Sequence, residues 1–203
     1  MTNASKGNTE GRSDLRNEEK AYIAGFLDGD GCLMAQLVRR KDYIYGYQIR
    51  VSLVFYQKQN HQEILVWLKG KLKNGYIRQR NDGMAEYTIV GLKEVERILR
   101  LLYPYLRLKK VLATRVLKLI ESHPERMNPD ELIRLSKLVD ETASFNFSKK
   151  RCNTSQTVKM FLQSANLFPV ETDSPKTLAM RLFRNRNGKT SAPPSTQLRR
   201  VKI

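Results

Sequence analysis

Histidine, cysteine and tryptophan are nearly missing from this chain, which has two, two and one of them among 203 residues. Cys32 and Cys152 lie far apart and form no CxxC pair, which excludes a structural zinc site and fits a reducing compartment. No Ser/His/Asp or Cys/His constellation offers a covalent nucleophile. Long apolar runs are also lacking; none approaches the length of a spanning helix, so no membrane partner is expected. The opening MTNASKGNTEGRSDLRNEEK has no apolar h-region and so is not read as a secretory signal, and its acids count against a transit peptide. Acids are scarce overall, with 20 Asp+Glu against 37 Lys+Arg and a formal net charge of +17. Such an excess implies a polyanionic partner, nucleic acid or an anionic surface, and at this level a ribosomal protein fits as well as an enzyme.

What is present is enough for one domain with a real core. Residues 1–17 read as a flexible arm, 18–166 as the folded domain, and 167–203 as a basic, largely flexible tail rich in Pro, Ser and Arg. Glu18 to Gly31 is helical, and a strand follows over Leu33 to Arg40. The run QIRVSLVFYQ, Gln48 to Gln57, is the clearest strand: Ile49, Val51, Leu53 and Phe55 alternate with a mostly polar set, so one face covers a core and the other is exposed. A helix over Asn60 to Lys73 stops at Asn74-Gly75. Tyr76 to Arg80 and Ala85 to Val90 form a hairpin about Asn81-Asp82-Gly83. Helices are expected over Leu92 to Leu102, Lys109 to Ser122 and Pro129 to Ala143, then a short one capped by Thr154 or Ser155. The order αββαββα gives an α+β fold, a four-stranded antiparallel sheet with helices on one face.

The stretch IAGFLDGDG, Ile23 to Gly31, poses the functional question. Asp28 and Asp30 stand at a helix C-terminus, where unpaired carbonyls disfavour acids; a cation beside them is one answer. Tyr22, Gly25, Phe26 and Gly29 share one helix face, with Ala21 a turn earlier. Small residues at that spacing allow close helix packing, either within the chain or between two chains. In the second case the two copies of Asp30 approach each other, a costly arrangement unless a divalent cation lies between them.

These residues resemble the motif of the LAGLIDADG homing endonucleases. The likeness continues through AQL, the alternating strand ending in QK, GYIRQR, YPYLRLKK and VDETASFNFSKK, roughly residues 20 to 165. It is similar to the single-motif enzymes of algal chloroplast group I introns. The resemblance implies a DNA-binding saddle completed by homodimerisation through Ala21, Tyr22, Gly25, Phe26 and Gly29. It also implies metal-dependent hydrolysis leaving short 3′ overhangs. Asp30 and the Gly29 carbonyl match the metal ligands, with Mg²⁺ expected because oxygen donors suit a hard cation, and Mn²⁺ as another divalent choice. Asp28 matches the earlier acid of the motif and is read as a solvated or capping group. Gln57 and Lys109 match residues around the attacking water and the scissile phosphate. His61 stands where relatives carry arginine, and a histidine's charge depends on pH near neutrality.

The polar sheet face supplies base readers at positions matching the family's: Gln36, Val38, Arg40 and Tyr43; Gln48, Arg50 and Val54; Arg78 and Arg80; Glu86 and Thr88. Val54 is expected to be exposed there, awaiting a thymine methyl. Lys41, Lys58, Ser148, Lys149, Lys150 and Arg151 are placed for phosphates. The partners implied are double-stranded DNA and a second copy of the chain. A non-cleaving binding module and an intron-RNA maturase are the rival functions. An organelle-encoded protein, chloroplast first and mitochondrial or bacterial otherwise, would match the N-terminus.

Overall fold

A computed structural model describes residues 15–145 and 151–167. Helix α1 (Asn17–Asp30) runs straight into β1 (Gly31–Arg39). Then come β2 (Tyr47–Lys58), a 3-10 turn (Gln59–His61), α2 (Glu63–Leu72), β3 (Tyr76–Gln79) and β4 (Met84–Val90). Helices α3 (Leu92–Leu102), α4 (Lys110–Glu121), α5 (Pro129–Ala143) and α6 (Ser155–Ser164) complete the domain, a second 3-10 turn (Tyr103–Tyr105) preceding α4. The four strands form one antiparallel sheet in the order β1-β2-β4-β3, the expected α+β arrangement.

The alternation in β2 settles which sheet face is inward. Ile49, Val51, Leu53 and Phe55 are buried against Ile23, Ala24 and Leu27 of α1, Val95, Ile98 and Leu99 of α3, and Leu65, Leu68 and Leu72 of α2. Phe55 stacks on Tyr87 with ring centroids 5.9 Å apart. The Tyr87 hydroxyl donates to the Asn74 carbonyl, and burial pushes its pKa up to about 12.

Several boundaries differ from the sequence reading. Strand β1 starts at Gly31 with no intervening loop, because the chain passes so close to α1 that a β-carbon at Gly31 would lie 2.8 Å from the Leu27 backbone. Helix α2 begins at Glu63 rather than Asn60, the residues before it winding into the 3-10 turn instead. That helix ends on Lys73 in the left-handed region (φ 55°), with Gly75 (φ 85°) turning the chain into β3. Thr154 caps α6, its hydroxyl accepting the Thr157 N–H. Helix α6 packs on α5 and is fastened to the sheet by Arg39. That guanidinium lies 3.7 Å from the Phe161 ring centroid and 4.9 Å from that of Tyr47, and donates to the Gly46 carbonyl.

The outer sheet face is less open than the alternation suggested. Val54, expected to be exposed, is only 3% so, because Cys32 and Thr88 flank it on the neighbouring strands. Glu86 and Thr88 are buried as well, at 8% and 4% exposure. A four-stranded twisted sheet covers its own centre with its side chains, whichever face they are on. The residues expected in the N-terminal arm lie mostly, and those of the C-terminal tail almost wholly, outside the described residues. Leu15, at the described N-terminal end, is buried.

Candidate active site and nucleic-acid interface

The two aspartates of IAGFLDGDG have separate fates. Asp28 turns towards the start of α4, where its carboxylate accepts the backbone N–H groups of Arg107 (2.7 Å), Leu108 (3.1 Å) and Lys109 (2.9 Å). These are donors at the positive end of α4, so the carboxylate is favoured there even though it disfavours the end of its own helix. Lys109 answers by donating its ammonium to the Asp28 carbonyl. The Asp30 carboxylate is exposed and makes no hydrogen bond or ion pair with any described residue.

Asp30 opens into a shallow depression shared with Gln57, His61 and Glu63, walled by Tyr22, Phe26, Ile64 and Trp67. The topology explains the grouping. Gly31 pairs with Phe55 across the β1–β2 ladder, and continuing that antiparallel register brings the end of α1 level with Gln57. The 3-10 turn then carries His61 back to the same edge. Gln57 uses its carbonyl oxygen to accept the Lys58 N–H (2.9 Å), and its amide nitrogen has no partner among the described residues. Lys109 is not in this depression; it lines a second hollow with Cys32, Gln36, Leu108, Phe145 and Arg151. So Asp30, Gln57 and His61 come together in one chain, and Lys109 stands behind the α1 terminus at Asp28.

Along α1, Ala21, Tyr22, Gly25 and Gly29 are exposed and Phe26 is half-buried. A β-carbon at Gly25 or Gly29 would meet nothing within 4 Å. The glycines therefore pack against nothing among the described residues, which weakens the reading of their spacing as packing within the chain. Tyr22 packs edge-on against Trp67, their centroids 5.7 Å apart, forming the rim of the depression.

The registers place Gln36 opposite Arg50, Val38 opposite Gln48, Val54 opposite Thr88 and Arg78 opposite Glu86, all on one face. Arg40 and Tyr43 lie at its β1 end, in and beside the β1–β2 turn, and Arg80 at the hairpin turn. Nearly every expected arginine is already paired. Arg40 forms a bidentate pair with Asp42 (2.9 and 2.7 Å), and Arg78 sets two nitrogens on the single Oε1 oxygen of Glu86 (2.9 and 2.8 Å). Arg80 reaches Asp82 (2.7 Å) and lies 3.9 Å from Glu86, while Arg151 pairs with Asp140 (3.0 Å). Glu86 and Arg151, both expected as DNA contacts, are engaged in these pairs within the chain. Two buried polar atoms on this face, Nε of Arg50 and Oγ1 of Thr88, have no hydrogen-bond partner among the described residues. Ser148, Lys149 and Lys150 lie outside the described residues.

Sequence reasoning missed the acceptor role of Glu86 and the anchoring of α6. It also missed the side chains of Gln59 and Gln62, which tie the 3-10 turn to the hairpin. All rest on contacts distant in sequence, and no local pattern announces them.

A four-stranded antiparallel sheet behind a helix that ends in an open glycine face and an uncommitted acid defines a class of protein. Residues 23–120 match the family described as LAGLIDADG endonuclease. The chain is 38% identical over 143 residues to DNA endonuclease I-CvuI of Chlorella vulgaris, an alignment spanning 70% of this chain and 89% of that one. It is 35% identical over 144 residues to DNA endonuclease I-CreI of Chlamydomonas reinhardtii, spanning 70% and 88%. This chain belongs to the LAGLIDADG homing endonuclease family and is a DNA endonuclease. Its fold matches the crystal structure of I-CvuI in complex with its target in 2 mM Ca, with TM-score 0.72, 36% identity, and coverage of 75% of this chain and 97% of that one. The archaeal I-Vdi141I complexed with DNA has the same fold (TM-score 0.66, 19% identity, 75% and 99% covered).

Proposed function

We propose that the chain acts as a homodimer that makes a double-strand break with short 3′ overhangs in a long pseudo-palindromic DNA target, promoting group I intron mobility in a chloroplast. The observation that carries the reading is the contrast between Asp28, consumed by α4, and Asp30, left without a partner at the end of a helix whose glycine face is open. Two such helices packed through Ala21, Tyr22, Gly25, Phe26 and Gly29 would bring two copies of Asp30 together.

The donors suit Mg²⁺ or Mn²⁺: a carboxylate from Asp30 and the Gly29 carbonyl are hard oxygens. Among the described residues, no three His, Cys, Asp or Glu side chains gather at a site that could hold a metal ion, so a second chain's Asp30 would complete the set. Held by Asp30 and the Gly29 carbonyl, a divalent ion would supply Lewis-acid chemistry to water and to the leaving oxygen. Gln57, with its amide nitrogen unengaged, orients the attacking water. Lys109 acts from behind, a fixed positive charge at the α1 terminus that favours charge building on the phosphate. His61, where relatives carry arginine, donates a hydrogen bond from the rim.

Base reading falls to Gln36, Val38, Arg40, Tyr43, Gln48, Arg50, Arg78 and Arg80, with Val54, Glu86 and Thr88 as the floor beneath them. The unpartnered Arg50 Nε and Thr88 Oγ1 support DNA as the missing partner of this face. Phosphate contacts from Lys41, Lys58, Ser148, Lys149, Lys150 and Arg151 set the register. I-CvuI bound to its target supports the same use of the fold. The test is cleavage of a randomised DNA library enriched in inverted repeats, with Mg²⁺, by the wild type and by Asp30→Asn. Cuts at a partly symmetric site that vanish in the variant are expected. Binding without cutting by the wild type in any divalent ion would overturn the cleavage reading.

A further inference from the structure

Gln59 joins the catalytic edge to the base-reading hairpin. It is the first residue of the 3-10 turn, two residues after Gln57 and two before His61. Its backbone N–H donates to the Gly83 carbonyl (2.9 Å), and its side-chain amide nitrogen to the carbonyls of Arg80 (2.7 Å) and Met84 (3.4 Å). One residue thus takes three carbonyls of the β3–β4 turn. The turn is closed on itself by Arg80 N–H to Met84 O (2.7 Å), and Asp82 holds both the Arg80 guanidinium and the Met84 N–H. A second tether runs beside the first: the Gln79 side chain donates to the Gln62 side-chain oxygen at 3.1 Å. β3 is four residues long and at the sheet edge, and the β2–β4 ladder runs to Lys58 opposite Met84, so these contacts carry the linkage between β2 and the hairpin past the end of that ladder and into the turn.

We infer that Gln59 is a positioning residue that couples base reading by Arg80 to the placement of Gln57 and His61 beside Asp30. The inference rests on the cleavage reading above. A hairpin displaced by a wrong base pair pulls on the Gln59 amide and shifts the edge that carries the water-orienting side chains. An error in sequence then becomes an error in catalytic geometry, where small misplacements cost rate steeply. A donor is required: methionine has the same reach but cannot bond the carbonyls.

The test compares wild type, Gln59→Met and Gln79→Met on a partially randomised target library, reading single-turnover cleavage, affinity and thermal midpoint. The inference expects Gln59→Met to keep its affinity within about threefold while cleaving about tenfold more slowly. Its base preference should flatten only at the pairs nearest the hairpin, and Gln79→Met should flatten the same pairs. Equal rates and preferences in wild type and Gln59→Met would overturn the inference, as would a lower thermal midpoint with an unchanged preference profile. If Gln59→Met does not fold, Gln79→Met decides by the same profile. A wild type that cleaves nothing fails the function reading instead, and is told apart by that control.

Discussion

Asp28 and Lys109 exchange helix ends. The Asp28 carboxylate satisfies the N–H groups at the start of α4, and the Lys109 ammonium satisfies a carbonyl at the finish of α1. Each side chain has the wrong sign for the terminus it grows from and the right sign for the terminus it reaches. The prediction is a division of labour between neighbouring acids. Asp28→Ala should lower stability by about 1–2 kcal/mol, the magnitude of a lost cap, in urea unfolding. Asp30→Ala should leave stability unchanged and abolish cleavage. Equal stability losses would refute the division.

Gly25 gives a sign contrast. Alanine there meets nothing among the described residues and should stabilise the isolated helix by up to about 1 kcal/mol. The same methyl would stand between two α1 helices and weaken their association. Thermal melts at high dilution should therefore rise while the dimer dissociation constant, from sedimentation equilibrium, rises too. A variant that dimerises as well as the wild type would place the interface elsewhere.

Gly31→Ala should fail for a different reason. The added carbon would lie 2.8 Å from both the Leu27 Cα and its carbonyl oxygen, backbone atoms that cannot swing away. A loss of about 1–3 kcal/mol is expected, as for other overpacked sites. Because Asp30 precedes the strained position, cleavage should drop further than the loss of folded protein accounts for, measured at a temperature where the variant is fully native.

Acid stability should depend on Glu19. Lys71 lies 2.6 Å from its carboxylate and the Arg16 N–H donates to it at 3.0 Å; the Lys71 hydrogen bond first, and the Arg16 backbone next, hold its pKa below the ordinary value. A carboxyl lowered in the folded state contributes stability that is complete above its unfolded value of about 4.3 and is lost as pH falls through the folded one. Lys71→Met should therefore destabilise at neutral pH, and the difference from wild type should shrink on acidification below about pH 4. A difference that grows there would contradict the assignment.

The four-stranded antiparallel sheet and its core face were legible because the apolar residues of β2 alternate in sequence, a local property, whereas the strand order β1-β2-β4-β3 emerges only in the fold. The helices from α3 onward were legible from their apolar spacing and their bounding prolines. The role proposed for Asp30 comes from a motif, and that of Asp28 was open between a solvated and a capping acid. Its partner, Lys109, lies 81 residues away, and only the folded chain brings them together. Val54 shows the limit most plainly. Alternation assigns it a side of the sheet, but whether that side is wet depends on Cys32 and Thr88 across two ladders.

The ion pairs across the reading face affect how the protein searches. Arg40, Arg78, Arg80 and Arg151 each keep an internal carboxylate, although the chain carries a net charge of +17. The exposed pairs, Arg40–Asp42 and Arg80–Asp82, are worth little, so exchanging them for a well-matched base edge costs little, whereas Glu86 and Asp140 are more enclosed and hold Arg78 and Arg151 harder. A mismatched stretch of DNA, offering only phosphates, must compete with carboxylates already in place. On the DNA reading proposed above, such pairs would let the protein leave wrong sequence quickly and sample a long genome without being trapped along the way.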